Sequence, residues 1–127
     1  MRQTALLADD EQPVRAYVSA VLRQEGFEVL EAADGRDALS IVQRMEGTVD
    51  VLVTDVRMPR MTGIELVRAV KTDFPAIPVI YISGEPQWSG LHDPRAHVLF
   101  VQKPFRPQAI VTAVRTVIDA VGAARSC

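Results

Sequence analysis

Three carboxylates, one hydroxyl and one ammonium group follow short apolar runs of this 127-residue sequence. Each apolar run is typical of a β-strand, and the sites of open parallel sheets form just outside the carboxyl ends of their strands. Residues that follow different strands are therefore expected to meet at one edge of the sheet. The residues in these positions are Asp9, Asp10, Asp55, Ser83 and Lys103.

Carboxylates that share one edge of a sheet repel one another. Two like charges about 4 Å apart repel by about 4 kcal/mol at an effective dielectric constant of about 20. The Lys103 ammonium cannot offset all of that repulsion, so either some of the acids stay protonated or a divalent cation binds. Oxygen ligands favour Mg²⁺, with Mn²⁺ as the alternative, over Zn²⁺, because no Cys or His stands at a matching position.

A carboxylate beside Mg²⁺ and a lysine is suited to phosphoryl transfer. In this interpretation Asp55 is the nucleophile, Mg²⁺ and Lys103 offset charge on the phosphoryl oxygens, and the Ser83 hydroxyl bonds to one of them. Taken singly, these residues have simpler interpretations. An acidic pair before a helix can cap it, and a serine before Gly84 can serve a turn.

The elements that must position these residues alternate along the chain. Apolar runs predict five strands, and amphipathic patterns between them predict helices, which together indicate a parallel, doubly wound α/β sheet. Glu28 and Glu31 interrupt the second run, which is therefore predicted to be an edge strand. The five runs are Thr4–Ala8, Phe27–Ala32, Val51–Thr54, Ile77–Ile82 and His97–Val101.

Residues typical of helix starts lie between the apolar runs. Pro13 is tolerated in the first turn of one helix, and Thr62 with Glu65 forms a capping-box pattern before another. Pro107 opens a last helix, which is expected to end near Val121.

The segment from residue 84 to residue 94 departs from this alternation of strands and helices. It holds two prolines and two glycines in eleven residues, so the fourth helix is predicted to be short or irregular. Trp88 within it is either a lid on the core or a contact for a partner. His92 and His97 are predicted to be surface residues.

Composition limits the class of protein. Hydrophobic residues make up 48% and charged residues 24% of the chain, which indicates one soluble globular domain spanning residues 1–127. Scattered basic residues and a net charge of −2 argue against a nucleic-acid-binding surface. A membrane helix needs about 18 apolar residues. No stretch of that kind and no signal peptide is recognisable, so a cytoplasmic protein is expected. Cys127, the only cysteine, is expected to be a free thiol.

Four motifs resemble the response regulator receiver domain, the CheY-like family of two-component signalling, and they occur in order across essentially the whole chain. The stretch Asp-Val-Arg-Met-Pro-Arg-Met-Thr-Gly at residues 55–63 is the most specific of them. The resemblance implies a flavodoxin-like, doubly wound five-stranded parallel sheet of order 2-1-3-4-5 with helices on both faces. The motifs are Leu6–Glu11, Val53–Gly63, Ile82–Gly84 and Val101–Phe105.

The resemblance also implies roles for the matching residues. Asp55 matches the phosphoacceptor, and Lys103 matches the lysine that contacts the phosphate. Asp9 and Asp10 match the acidic pair that holds Mg²⁺ together with Asp55. The backbone carbonyl of Arg57 matches a further metal ligand.

Two positions match the switch of the family, namely the Ser83 hydroxyl and the Phe100 ring, which swings inward on phosphorylation. Many relatives have Tyr in place of Phe100, and without that hydroxyl only ring packing can report the switch. A plain core role is the alternative for Phe100. The resemblance further implies a cis peptide bond between Lys103 and Pro104, which proline allows at low energy.

Arg57 and Glu85 stand two residues after the phosphoacceptor and the switch hydroxyl, where side chains flank the phosphoryl group in this family. We hypothesise that they pair across the pocket mouth and hinder an attacking water, which lengthens the phosphorylated lifetime. Exposed ion pairs are typically worth less than about 1 kcal/mol, so a modest effect is expected.

Two other classes of function share parts of this pattern. A small Mg²⁺-dependent aspartyl phosphatase usually carries a second acid two residues after the nucleophile, where this chain has Arg57, which cannot donate a proton usefully. A pseudo-receiver, a protein-binding module without the chemistry, is expected to lack an acid or the lysine, and all are present. We therefore expect a regulatory domain that catalyses only its own phosphorylation and dephosphorylation.

A sensor histidine kinase or a phosphotransfer protein is the phosphodonor that the resemblance implies. The expected target is an unknown downstream protein, with no direct nucleic-acid or membrane contact, and a phosphorylation-dependent homodimer is a further option. The run Leu99–Phe105 after an irregular loop looks like receivers at the C-terminal end of hybrid sensor kinases. The chain is then either such a fragment or a free-standing regulator, with no output domain expected after the last helix.

Overall fold

The computed structural model describes residues 2–126. Its strands are β1 (Thr4–Ala8), β2 (Glu28–Ala32), β3 (Val51–Asp55), β4 (Val79–Ser83) and β5 (Val98–Gln102). They pair in parallel in the order β2-β1-β3-β4-β5, which confirms the predicted doubly wound sheet. The two outer strands are β2, as its interrupted apolar pattern predicted, and β5.

Helices cover both faces of this sheet. They are α1 (Gln12–Gln24), α2 (Gly35–Arg44), α3 (Gly63–Asp73) and α4 (Pro107–Ser126). On one face α1 buries Leu22, and on the other α3 buries Leu66. Successive strand residues point to opposite faces, so Leu6 packs in one core and Leu7 in the other. None of these described helices is long and apolar enough to span a bilayer.

Local sequence signals set where the helices begin and end. Thr62 and Glu65 form the predicted capping box of α3, because each side chain accepts the backbone N–H of the other residue, at 3.1 and 3.0 Å. Asp34 caps α2 by accepting the Asp37 N–H at 2.9 Å. After α1, Gly26 adopts a left-handed φ of 96°, which favours glycine and turns the chain toward β2.

Two 3₁₀ turns replace a full helix between β4 and β5, which confirms the predicted irregular segment. The turns span Pro86–Leu91 and Pro94–Ala96. Asp93 forms an antiparallel bridge with Val98, and Nδ1 of His92 accepts the backbone N–H of Phe100 at 3.0 Å. The segment therefore covers part of the outer edge of β5.

The last helix is longer than its apolar pattern predicted. It runs to Ser126, so the predicted end near Val121 is wrong. Val121 is buried while residues 122–124 are exposed, which is why the apolar pattern stops there. The helix continues because Ala123 and Ala124 are strong helix formers and one glycine costs only about 1 kcal/mol relative to alanine. Cys127 lies outside the described residues.

Candidate functional site

Asp9, Asp55 and Lys103 converge at the carboxyl-terminal edge of the sheet. Asp9 follows β1 and is fully buried, and Asp55 ends β3 with 7% of its surface exposed. Nζ of Lys103, which follows β5, lies 3.3 Å from Oδ2 of Asp9 and 3.3 Å from Oδ2 of Asp55. The structure thus brings two of the three predicted aspartates and the predicted lysine together.

Burial has the largest effect on the charges of these aspartates. Desolvation raises the pKa of both the Asp9 and the Asp55 carboxyl groups, although backbone N–H groups and Lys103 act in the opposite direction. Burial also disfavours the charge of Lys103, but its attraction to Asp9 and Asp55 outweighs this and raises the pKa of the ammonium. The site therefore carries an excess of buried negative charge that a bound cation would relieve.

Glu11, rather than Asp10, is the third carboxylate beside Lys103. Among the described residues, one oxygen each from Asp9, Glu11 and Asp55 lie within 4.8 Å of one another. Oε1 of Glu11 is 3.4 Å from Nζ of Lys103. The Glu11 N–H donates to Oδ1 of Asp9 at 2.8 Å, and in this turn Asp10 is exposed outside the group. Glu11 is not among the site residues predicted from the sequence, although it directly continues the acidic motif, and the role of Asp10 as a metal ligand stays a prediction.

Backbone contacts hold the Asp55 side chain in place. Its Oδ1 accepts the Val56 N–H at 2.7 Å, while its Oδ2 faces Lys103. Its backbone carbonyl accepts a hydrogen bond from Oγ1 of Thr54 at 2.9 Å. Gly63, the first residue of α3, packs directly against that carbonyl. Asp55 is therefore fixed at both its carboxylate and its backbone.

A cavity of about 380 Å³ opens over Asp55. Ser83 ends β4 with 3% of its surface exposed, and its Oγ accepts the Glu85 N–H at 3.0 Å. The Ser83 carbonyl accepts the backbone N–H of Lys103 at 2.8 Å, which ties the loop after β5 to β4. The predicted site residues that line the cavity are Asp10, Asp55, Arg57, Ser83, Glu85 and Lys103.

Arg57 and Glu85 form an ion pair at this cavity, as we hypothesised from their positions. Nε of Arg57 donates to Oε1 of Glu85, and this bond lowers the pKa of the Glu85 carboxyl. Nε1 of Trp88 lies 3.4 Å from the same oxygen, and the Arg57 guanidinium carbon lies 5.8 Å from the centre of the Trp88 ring. Trp88 is half-buried against the core, which favours its interpretation as a lid.

The other predicted positions lie on or beside β5. The peptide bond between Lys103 and Pro104 is cis, as expected. Phe100 is half-buried and packs against the core, an arrangement that suits either a switch or a plain core role. His92 is exposed, whereas His97 is half-buried where the chain turns into β5. The surface prediction is thus confirmed for His92 but not for His97.

Known proteins share this fold and these motifs. A family model, the response regulator receiver domain, matches residues 5–115. The sensor kinase CckA of Brucella abortus is 36% identical over 118 residues, which are 91% of this chain and 12% of the kinase. A crystal structure of the receiver domain of the hybrid histidine kinase CckA is 34% identical with a TM-score of 0.78, covering 91% of this chain and 98% of that one. A response regulator receiver protein of Sinorhizobium medicae is 27% identical with a TM-score of 0.83, covering 94% and 97%.

These similarities concern one domain of proteins that are often longer. The chain spans 12% of the CckA kinase and about half the length of DNA-binding response regulators that it also matches. The family model covers most of the chain, and the sheet order and the acidic cluster agree with it. The chain belongs to the response regulator receiver domain family, whose members are phosphorylatable signalling switches of two-component systems.

Proposed function

We propose that Asp55 accepts a phosphoryl group and that this modification switches the domain between two states. The observation that supports this most directly is the contact at 3.3 Å between Oδ2 of Asp55 and Nζ of Lys103 beside an open, acid-lined cavity. A carboxylate nucleophile with a neighbouring ammonium is an arrangement that stabilises a transferring phosphoryl group.

In the proposed transfer the donor is a phosphohistidine. A carboxylate oxygen of Asp55 forms a bond to phosphorus while the phosphorus–nitrogen bond breaks. The imidazole nitrogen keeps the electron pair and takes a proton from solvent. Lys103 offsets charge on the phosphoryl oxygens and the Ser83 hydroxyl donates to one of them. We propose no enzymatic activity beyond the phosphorylation and dephosphorylation of the domain itself.

The donor atoms at the site suit Mg²⁺, with Mn²⁺ as the alternative. Asp9, Glu11 and Asp55 supply carboxylate oxygens only, and no soft ligand stands among them. Asp10 and Arg57 line the same cavity, and we assign them as further ligands, Arg57 through its backbone carbonyl. Bound Mg²⁺ supplies positive charge for the carboxylates and for the phosphoryl oxygens.

Ser83 and Phe100 are the proposed switch positions. The Ser83 hydroxyl now accepts the Glu85 N–H, so drawing it toward a phosphoryl group displaces the loop after β4. That loop leads into the 3₁₀ segment whose His92 contacts the backbone of Phe100. Inverting a two-state population from 1:99 to 99:1 takes about 5.5 kcal/mol. Hydrogen bonds to charged groups contribute about 1.5–3 kcal/mol each, so a few new bonds suffice.

An apolar surface beside the site supports a protein as the phosphodonor. Tyr17 is 41% exposed, and its ring centre lies 6.1 Å from that of Phe105. Val14 and Pro104 complete a patch that borders Lys103. A protein whose histidine reaches the site would cover this patch and bury its apolar area. We therefore propose a sensor histidine kinase or a phosphotransfer protein as the donor.

The proposed output is a change in binding to a downstream protein. The net charge of −2 gives no basis for direct nucleic-acid binding, and a phosphorylation-dependent homodimer is a second form of output. The similarity to CckA supports a place in or beside a hybrid kinase, with a free-standing regulator as the alternative. Because the proposed donors draw their phosphoryl groups from ATP, we place the domain in the cytoplasm.

Incubation with acetyl phosphate and Mg²⁺, followed by intact-mass measurement, tests this function. The wild type is expected to gain one phosphoryl group, and Asp55→Asn none. Asp73→Asn, at an exposed acid at the far end of α3, is the matched control and should behave like the wild type. No adduct on the wild type would instead favour a pseudo-receiver. Steady hydrolysis of p-nitrophenyl phosphate would favour the phosphatase alternative.

A further inference from the structure

Arg15 joins the acidic loop to the edge strand of the sheet. It lies in the first turns of α1, and only 19% of its side chain is exposed. Its Nη1 donates to the backbone carbonyl of Asp9 at 2.7 Å, and its Nε lies 3.3 Å from Oε1 of Glu31 on β2. One guanidinium therefore connects the acidic loop to β2, a strand that contributes no side chain to the cavity.

With the Arg15 contact, every polar group of Asp9 has a hydrogen-bond partner. The Asp9 N–H donates to the carbonyl of Ala32 at 3.1 Å, as the last rung between β1 and β2. Its two carboxylate oxygens accept hydrogen bonds from the Glu11 N–H and from Lys103. The carbonyl is the remaining polar group, and Arg15 binds it just where the chain leaves the sheet. The orientation of the fully buried Asp9 carboxylate thus depends on a backbone that Arg15 holds.

Glu31 in turn holds Arg15. Its other oxygen, Oε2, accepts a hydrogen bond from the Ser19 hydroxyl at 3.2 Å and lies 3.8 Å from Nη2 of Arg23. A planar guanidinium can bond to the carboxylate and the carbonyl together, which a lysine ammonium on a flexible stem does less well. Glu31 also interrupts the apolar pattern of β2, and its ion pair with Arg15 explains why an acid stands at this position.

We propose that Arg15 is a positioning residue that sets the Asp9 carboxylate for divalent-cation binding, with Glu31 as its anchor. This inference rests on the proposed function, in which Asp9 is a metal ligand. Loss of groups that orient metal ligands typically weakens metal affinity by about 10- to 100-fold. We expect Arg15→Gln to lie at the lower end of that range, because Glu11 and Lys103 still hold the Asp9 carboxylate.

Arg23 provides the matched control on the same helix. It shares the Ser19 and Glu31 network, yet its own backbone contact is the carbonyl of Val29 at 3.0 Å rather than that of Asp9. Arg23→Gln therefore also removes a guanidinium and a hydrogen bond between α1 and β2, although the Arg23 side chain is 56% exposed against 19% for Arg15. A purely structural role for Arg15 predicts the same effect from both substitutions.

A Mg²⁺ titration of the unphosphorylated chain, followed by backbone amide NMR shifts, separates these roles. We expect Arg15→Gln to bind Mg²⁺ about tenfold more weakly, Arg15→Lys and Glu31→Gln to lose less, and Arg23→Gln to stay within about twofold of the wild type. Equal affinities for Arg15→Gln and Arg23→Gln would overturn the inference. If Arg15→Gln does not fold, Arg15→Lys decides, and an unchanged affinity there would overturn it. Failure of the wild type to bind Mg²⁺ would instead count against the proposed function.

Discussion

Gly63 packs against the backbone of Asp55 so closely that a Cβ at residue 63 would lie 2.0 Å from the Asp55 carbonyl oxygen. This contact joins the start of α3 to the end of β3, which carries the proposed phosphoacceptor. The Oγ1 of Thr54, which bonds to the same carbonyl, would lie 3.2 Å from that Cβ. A side chain at residue 63 would therefore force α3 or the end of β3 to shift.

Gly63→Ala is expected to destabilise the domain and to impair phosphorylation of Asp55. Overpacking of a buried site costs about 1–3 kcal/mol, and the shift needed here falls on β3, which carries Asp55. Urea unfolding measures the loss of stability. The initial rate of phosphorylation by acetyl phosphate measures the loss of reactivity.

Gly122→Ala is the control for this substitution. A Cβ there would meet no atom within 4 Å, and alanine in a helix is favoured over glycine by up to about 1 kcal/mol. It should leave phosphorylation unchanged and stability equal or higher. A Gly63→Ala protein as stable and as reactive as the wild type would contradict this close packing of α3 against β3.

Arg57→Ala and Glu85→Ala are each expected to shorten the phosphorylated lifetime. Both remove the ion pair at the cavity and open a path for water to the phosphoryl group. An exposed pair contributes less than about 1 kcal/mol, so hydrolysis should speed up by no more than about fivefold. The decay of the phosphorylated mass species after removal of acetyl phosphate gives this rate.

The control for the ion pair is Arg95→Ala, which removes an exposed arginine of the second 3₁₀ turn. It should decay like the wild type. Unchanged decay in both the Arg57 and the Glu85 variants would rule out a role for the pair in lifetime. Acceleration in only one of them would assign the effect to that side chain alone.

Asp34→Ala is expected to lower stability by about 1 kcal/mol at neutral pH, since Asp34 caps α2. The Asp37 N–H, and then the Arg60 guanidinium, hold the pKa of Asp34 below its ordinary value of 3.8. A depressed pKa means that this contribution is complete above about pH 3.8 and is lost as the pH falls through the lower folded-state pKa. The stability gap between the two proteins should therefore shrink in acid.

Urea unfolding at pH 7 and at several values below the ordinary pKa of Asp34 measures this gap. Asp119→Ala, at an exposed position of α4, is the control and should show little difference from the wild type at any pH. A gap that grows toward acid would contradict the assigned direction of the Asp34 pKa shift.

The apolar runs predicted five parallel strands and the meeting of Asp9, Asp55 and Lys103 at their carboxyl ends. The strand order came from the resemblance to receiver domains and is confirmed. The place of Glu11 beside Asp9 and Lys103 could not be read in this way. It depends on a turn in which the Glu11 N–H bonds to the Asp9 carboxylate, and neighbouring acids in a loop carry no periodic signal.

Two other features could not be predicted from the apolar pattern. The ion pair of Arg15 with Glu31 joins a helix to an edge strand, and only the packing angle of α1 on the sheet brings the two together. The apolar pattern of α4 ends at Val121, whereas helix propensity carries the backbone on to Ser126. Burial patterns locate the buried part of a helix better than its last turn.

Borohydride trapping locates the phosphoryl group and so tests the role of Asp55 directly. Borohydride reduces an acyl phosphate to an alcohol, so a phosphorylated aspartate becomes homoserine, which peptide mass mapping identifies. After incubation with acetyl phosphate and Mg²⁺, we predict homoserine at position 55 and unmodified Asp9, Asp10 and Glu11. Homoserine at another position, or none while intact mass shows phosphorylation, would contradict the assignment of Asp55 as the phosphoacceptor.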